Sequence, residues 1–263
     1  MSIQPFDRER LKREFDSAIP FRHVVIDGFL EPSFAREVAR AYPSFEQAIA
    51  QGFTFNFVNE RKKVQICEAA RFPQPVAALN TALASSSFLA DLEYITGIPG
   101  LLADKALLGG GMHITGPHGR LDVHLDFNYS EENDWFRRLN ILIYLNEEWD
   151  DRWGGEVEFW DREVAVCHQA LAPVLNRCVL FETSEISFHG VRPLTCPPDR
   201  VRKSFAAYYY TKEPQANWSG QTFSTVFKAR PDEWWRGHLL APAERFARQT
   251  RSRLRALKKS LLG

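Results

Sequence analysis

The sequence predicts an α+β fold that is mainly β: a jelly-roll core (double-stranded β-helix) with supporting helices before it and a basic helix after it. Three observations predict this. Eight short β-rich segments follow one another across residues 105–211, at the spacing of an antiparallel sandwich or barrel. The stretch before them is mainly helical in pattern, and the stretch after them is helical and rich in arginine. With 263 residues, 44% hydrophobic and 25% charged, the composition is that of a globular chain able to bury a sizeable core. No Gly/Ser linker or internal repeat divides it, so one domain is expected, with helical support at 1–104, the core at 105–212 and an extension at 213–263.

In the first zone, residues 21–29 (FRHVVIDGF) read as a strand. Glu31-Pro32-Ser33 then opens a helix through Phe34, Val38 and Ala41 that Pro43 stops. Residues 75–84 and 88–96 read as two more helices, the second capped from Ser85-Ser86-Ser87 and ended by Gly97-Ile98-Pro99-Gly100. Candidate strands follow at 105–114, 121–127, 138–145, 155–160, 163–167, 173–181, 186–190 and 201–211. The run LNILIYL at 139–145 is apolar on nearly every residue, which places it mid-sheet and buried on both faces. Trp153-Gly154-Gly155 and residues 193–200 (PLTCPPDR) are connections, since adjacent prolines do not fit a central strand. Residues 242–262 read as a helix with Phe246, Leu254, Leu257 and Leu261 near one face and basic residues around the rest. Such a helix is expected to clamp the barrel by its apolar stripe or to contact a partner or a membrane surface.

Lys+Arg 33 against Asp+Glu 33 gives zero formal charge, but the zero is a cancellation. Residues 230–263 hold nine basic and three acidic side chains, whereas the first 229 hold 24 basic and 30 acidic. A chain that grips nucleic acid over its whole surface needs a basic field, so no nucleic-acid partner is expected. Four cysteines with no C-x-x-C pair suggest free thiols in a reducing compartment. No apolar region follows the charged N-terminus as in a secretory signal, and no run approaches the roughly 20 residues that span a bilayer. A cytoplasmic location is the expectation.

Chemistry enters with LDVHLDF at 121–127. On a strand, His124 and Asp126 project to one side while Val123, Leu125 and Phe127 face the other. A lone H-x-D is a weak signal, but His189 closes a candidate strand in the second half of the core, where an antiparallel neighbour would return. Two histidines and one carboxylate on one face of an ion leave three octahedral positions open, which suits a non-haem Fe(II) oxygenase. The open positions can take a bidentate 2-oxo acid and dioxygen. The distal carboxylate of that acid needs a fixed cation, and a planar arginine fork serves best. Arg202, Arg200 and Lys203 compete for this task. Strand parity prefers Arg202, because Ser204, Ala206 and Tyr208 continue its side whereas Lys203 must point oppositely.

The order H-x-D, then RRLNILIYLNEEWDDRWGGEVEFW, then H-G-V-R-P, then R-x-S-F resembles the prolyl 4-hydroxylase-like branch of the 2-oxoglutarate- and Fe(II)-dependent oxygenases. The likeness runs motif by motif over about residues 105–212. It extends more loosely to VVIDGFLEPSFAREVARAYP. It implies that His124, Asp126 and His189 bind iron, and that Arg202 binds the distal carboxylate of 2-oxoglutarate with help from the phenol of Tyr144. Where relatives often place a tyrosine before H-x-D, this chain has His113-Ile114, so His113 is the substitute for that co-substrate contact. Presence of Asp126, where halogenating relatives have a small residue, implies hydroxylation.

Asn128 and Asn140, on the same side as the triad, and His118, on a loop near the mouth, are candidates to touch substrate or simply to satisfy buried backbone. Trp218 and residues 221–228 are candidates for a lid. The expected activity is hydroxylation of an unactivated C–H bond in a small-molecule, sugar or carrier-bound substrate, using Fe(II), 2-oxoglutarate and O2 and releasing succinate and CO2. A protein prolyl hydroxylase and a non-catalytic binding module are the alternatives.

Overall fold

Each helix begins where the sequence supplies an oxygen or a proline for its first free N–H groups. The computed structural model describes residues 2–216 and 218–233. α1 (Arg8–Ser17) starts on Asp7, whose side chain accepts from the Arg10 N–H, and β1 (His23–Asp27) follows. α2 (Pro32–Arg40) starts on Glu31, and α3 (Phe45–Gln51) starts on a reciprocal Ser44–Gln47 capping box. The hairpin β2 (Phe53–Asn56) and β3 (Glu60–Ile66) comes next. α4 (Gln74–Leu83) has proline in its first turn, and α5 (Ser86–Thr96) runs from a Ser85 cap to Gly97 at φ 67°.

The remaining strands are β4 (Leu102–Ala103), β5 (Gly111–Leu125), β6 (Tyr129–Ser130), β7 (Trp135–Tyr144), β8 (Val157–Trp160) and β9 (Cys167–Leu171). Then come β10 (Arg177–Glu182), β11 (His189–Val191), β12 (Arg202–Thr211) and β13 (Val226–Phe227). They form one curled sheet whose main path is β1-β10-β7-β12-β5-β11-β8-β9, a jelly-roll core. β5 turns the corner: Gly111–Thr115 pairs with β12, whereas Leu121 and His124 pair with β11. The bend lies at His118, with φ 60°, and at Gly119, where a side chain would strike Thr115.

One face of the sheet carries Ile114, Leu139, Ile141, Ile143, Phe205 and Tyr209, which bury against Leu11, Phe15, Val38, Leu79 and Leu92 of the helices. The helices thus cover the outside of the roll and keep it dry. The inner face carries Tyr144, Val157, Phe159, Val179 and Phe181. This second cluster is small because polar residues occupy the rest of the interior.

Several element expectations need correction. The strands expected at 105–114 and 121–127 are one strand, β5, and it starts only at Gly111 because the Asp104 carboxylate accepts from the Ala106 and Leu108 N–H groups and holds a turn there. Residues 163–167 are not a strand. The Asp161 side chain caps Ala165 and Val166, and extended pairing begins at Cys167. His189 opens β11 rather than closing a strand. α1, α3 and the β2–β3 hairpin were not expected. The helix expected at 242–262 lies outside the described residues. Among the described residues no helix is long and apolar enough to cross a membrane. All four cysteines are free thiols.

Candidate active site

His124 on β5 and His189 on β11 are direct antiparallel partners, which brings their rings side by side, tilted, with centroids 4.4 Å apart. Asp126 lies just past the end of β5, on the same side as His124. Its Oδ1 is 3.5 Å from His124 Nε2, and its Oδ2 is 3.4 Å from His189 Nε2. All three potential ligand atoms fall within 4.8 Å of one another, the one such group among the described residues. The tautomers are set from behind. His124 Nδ1 donates to the Asp122 carbonyl at 3.0 Å and His189 Nδ1 to the Ser187 carbonyl at 2.9 Å, so both Nε2 lone pairs face the carboxylate.

The electrostatics favour the unprotonated forms of His189 and Asp126. Burial, followed by the neighbouring His124, pulls the His189 pKa down to about 4 although Asp126 opposes it. Burial alone would raise the Asp126 pKa, but Arg137 and the two histidines hold it well below the usual carboxylate range. Three electron-rich atoms therefore converge on one buried point. A divalent cation with nitrogen and oxygen preferences fits that donor set.

Asp126 is fixed by two residues of β7. Its Oδ2 accepts from Arg137 at 3.0 Å and from Asn140 at 2.6 Å, and Arg137 Nε also donates to the Asn140 amide oxygen at 2.9 Å. Arg137 stacks on the Phe127 and Tyr208 rings, 4.7 and 3.5 Å from their centroids. A register shift opposite Tyr209 and Tyr210 lets Arg137 face inward with Asn140, Leu142 and Tyr144 despite the odd spacing. Sequence parity alone hid Arg137. The local signal was the pair Arg137-Arg138, one of which a bulge can turn inward.

The triad opens into a cavity of about 320 Å³ that reaches Arg202, Ser204 and Leu142 on the far side. Arg202 is 4% exposed and donates from Nε to the Gly155 carbonyl at 2.7 Å. No carboxylate lies within 4.0 Å of it among the described residues. Gly155 has φ 78°, and a Cβ there would sit 3.2 Å from Arg202 Cδ, so the Gly154-Gly155 turn aims this side chain. Below the guanidinium lies the Tyr144 ring, 4.9 Å from centroid to Cζ, and the fully buried Tyr144 hydroxyl has no hydrogen-bond partner. An uncompensated buried cation beside an orphaned hydroxyl is costly unless an anion joins them. A dicarboxylate whose other end chelates a metal at the triad fits both groups.

The other candidates divide. Arg200 pairs with Glu148 at 3.2 Å, and Lys203 donates to the Ala39 carbonyl, so of the three rival cations Arg202 lines the cavity. His113 lines it too, but its Nε2 is directed to the Gly109 carbonyl at 3.0 Å. Burial, with Lys63 next, depresses its pKa well below the usual value. The neutral ring has only an Nδ1 acceptor left and no donor for a carboxylate. His118 is exposed and not brought to the cavity. Asn128 turns away from it to bond Gln221 O and Phe223 N, which tethers the chain entering β13. β13 then pairs with β5, and Phe227 packs 5.4 Å from the His124 ring. The other unforeseen wall is the β2–β3 hairpin, which supplies Phe55, Phe57, Lys63 and Gln65.

Residues 110–210 match the family model described as the 2OG-Fe(II) oxygenase superfamily. Among solved structures the chain is similar to a Pseudomonas putida prolyl-4-hydroxylase, at 16% identity and TM-score 0.53 over 76% of this chain and 98% of that one. It is also similar to a Trichoplax adhaerens prolyl hydroxylase in complex with a hypoxia inducible factor oxygen degradation domain peptide fragment, at 18% identity and TM-score 0.56 over 78% and 91%. HygX from Streptomyces hygroscopicus, with nickel, 2-oxoglutarate and hygromycin B bound, matches at 14% identity and TM-score 0.52 over 86% and 99%. At these identities the likeness is one of fold, and no curated protein sequence matches. Residues 110–210 are thus similar to the 2OG-Fe(II) oxygenase superfamily, whose members use Fe(II), 2-oxoglutarate and O2.

Proposed function

We propose that the enzyme hydroxylates an unactivated C–H bond of a small-molecule, sugar or carrier-bound substrate, converting 2-oxoglutarate and O2 to succinate and CO2. The observation that carries this reading is the single cavity joining the His124, Asp126 and His189 triad to the unpaired cation of Arg202. In it, His124, Asp126 and His189 hold Fe(II), and Arg202 with the Tyr144 hydroxyl holds the distal carboxylate of 2-oxoglutarate. Bound iron supplies the redox chemistry with O2 by which one oxygen atom enters the substrate C–H bond and the other enters succinate.

The protein's own part is placement and exclusion. Arg137 and Asn140 hold Asp126 Oδ2, which leaves Oδ1 turned toward the metal position. The Asp122 and Ser187 carbonyls fix the histidine tautomers. Leu142, Val157 and Phe181 line the buried end and keep water from it. The hairpin aromatics Phe55 and Phe57 and the strap residues Thr225 and Phe227 form the walls toward the mouth, where the substrate binds.

About 320 Å³ must hold both co-substrate and the reacting part of the substrate, which favours a small or tethered molecule over a broad protein surface. The peptide-bound fold neighbour supports the second reading, a protein prolyl hydroxylase. Succinate release separates the two: with Fe(II), 2-oxoglutarate and O2, a matching substrate raises it and gains one oxygen atom by mass. Stimulation by small polyols, sugars or carrier-linked acids supports the first reading. Stimulation by proline-containing peptides alone overturns it.

A further inference from the structure

Among the described residues a second cavity is larger than the catalytic one. A space of about 690 Å³ opens on the other side of β7, walled by the segment entering β1, the end of α5 and the loop after β10. Among its charged lining residues, which include Arg22, Arg162, Glu182 and Glu185, is Arg138, next in sequence to Arg137 but facing the opposite way. Among the described arginines that are not exposed, Arg120, Arg137, Arg230, Arg22 and Arg177 all have carboxylate partners. Only Arg202 and Arg138 have none within 4.0 Å.

The parallel between these two is close. Arg138 donates from one terminal nitrogen to Thr211 Oγ1 at 3.1 Å, while its Nε is buried and has no partner. The nearby acid, Glu182, is already engaged by Arg22 Nε at 2.8 Å. Burial lowers the Arg138 pKa, Glu182 pulls it back and Arg22 pushes it down further. A guanidinium so placed has unused donors and an unanswered charge. Phe21, Ile98 and Phe136 supply apolar wall to the cavity, and Trp218 packs edge-on against Phe136 at 5.1 Å.

We propose that this cavity is a second ligand site, which binds an organic anion, a carboxylate or phosphate monoester, through the Arg138 fork while Phe136 and Ile98 cover its apolar body. A planar fork suits such a headgroup because it can donate two parallel charge-assisted bonds. The site is separate from the triad and does not rest on the assigned reaction. The shared wall at Arg137, which also touches Asp126, gives an occupant of this cavity a route to influence the metal centre.

Calorimetric titration of the full chain with phenyl phosphate, phenylacetate and inorganic phosphate tests the site. At least one of the two aromatic anions should bind at a single saturable site, ten or more times tighter than inorganic phosphate. Arg138→Gln should weaken it at least tenfold. Glu182→Gln, which removes the competing carboxylate, should tighten it several-fold, a change that misfolding cannot imitate. Arg202→Met should leave it unchanged. No saturable binding by the unaltered chain, equal binding by Arg138→Gln, or loss in Arg202→Met would overturn the proposal; equal affinity for inorganic phosphate would overturn the organic class.

Discussion

Replacing Arg202 by methionine should have two effects of opposite sign, because the structure buries this cation without a counter-ion. In the metal-free protein the guanidinium is 4% exposed and carries the desolvation penalty of a buried ion, which is several kcal/mol after relaxation. Against its removal stands the loss of the 2.7 Å bond to the Gly155 carbonyl, which strands an acceptor at a cost of about 1–3 kcal/mol. The difference predicts an apoprotein more stable by about 1–3 kcal/mol, read from urea unfolding. The same change should cost 2-oxoglutarate binding about 2–5 kcal/mol, roughly 30-fold to several thousandfold, read by anaerobic titration with metal present. Loss of apoprotein stability by about 3 kcal/mol or more would show that Arg202 is already paired. Unchanged co-substrate affinity would show that its anion is something else.

Asn140→Ala removes one of two hydrogen bonds on Asp126 Oδ2 and should weaken divalent metal binding about 10- to 100-fold with the fold intact, measured by competition with a chelating dye. Gly155→Ala forces a Cβ at φ 78° against Trp149 and Arg202, so it should cost about 1–3 kcal/mol of stability and also raise the 2-oxoglutarate dissociation constant. His113 has a folded pKa well below 6.5, so the unfolded chain takes up the proton first and stability is lost as pH falls through the unfolded value. Between about pH 7 and about pH 5.5 the metal-free protein should therefore lose about 1 kcal/mol more than His113→Asn, in unfolding curves at the two pH values.

What was legible in the sequence follows from which residues pattern locally. The H-x-D alternation, the doubly buried run at 139–145 and the parity of Arg202, Ser204 and Tyr208 are period-two signals, and the structure brings His124, Asp126, Asn140, Leu142, Arg202, Ser204 and Tyr208 to one cavity while Leu139, Ile141 and Ile143 face the helices. Ser85 and Gly97 marked α5 because caps are local chemistry. The β2–β3 hairpin was hidden because FTFN and ERKKVQI set one face on the polar cavity, where Lys63 and Gln65 break the apolar alternation that announces a strand. α1 was hidden because only Leu11 and Phe15 are buried in an otherwise charged helix. Arg137 was missed because a register shift cancelled its parity, and no local rule fixes where a shift falls. His118 and Asn128 were offered by proximity in sequence, but the bend in β5 and the tether to Phe223 send them elsewhere.

The central claim is that the triad and Arg202 form one iron and 2-oxoglutarate site. Anaerobic addition of Fe(II) and 2-oxoglutarate, followed by visible absorption, tests it most directly. A metal-to-ligand charge-transfer band should appear only when both are present, should vanish in His124→Ala and His189→Ala, and should need far more 2-oxoglutarate in Arg202→Met. A band that persists in the histidine variants, or its absence from the unaltered protein, would contradict the assignment of these residues.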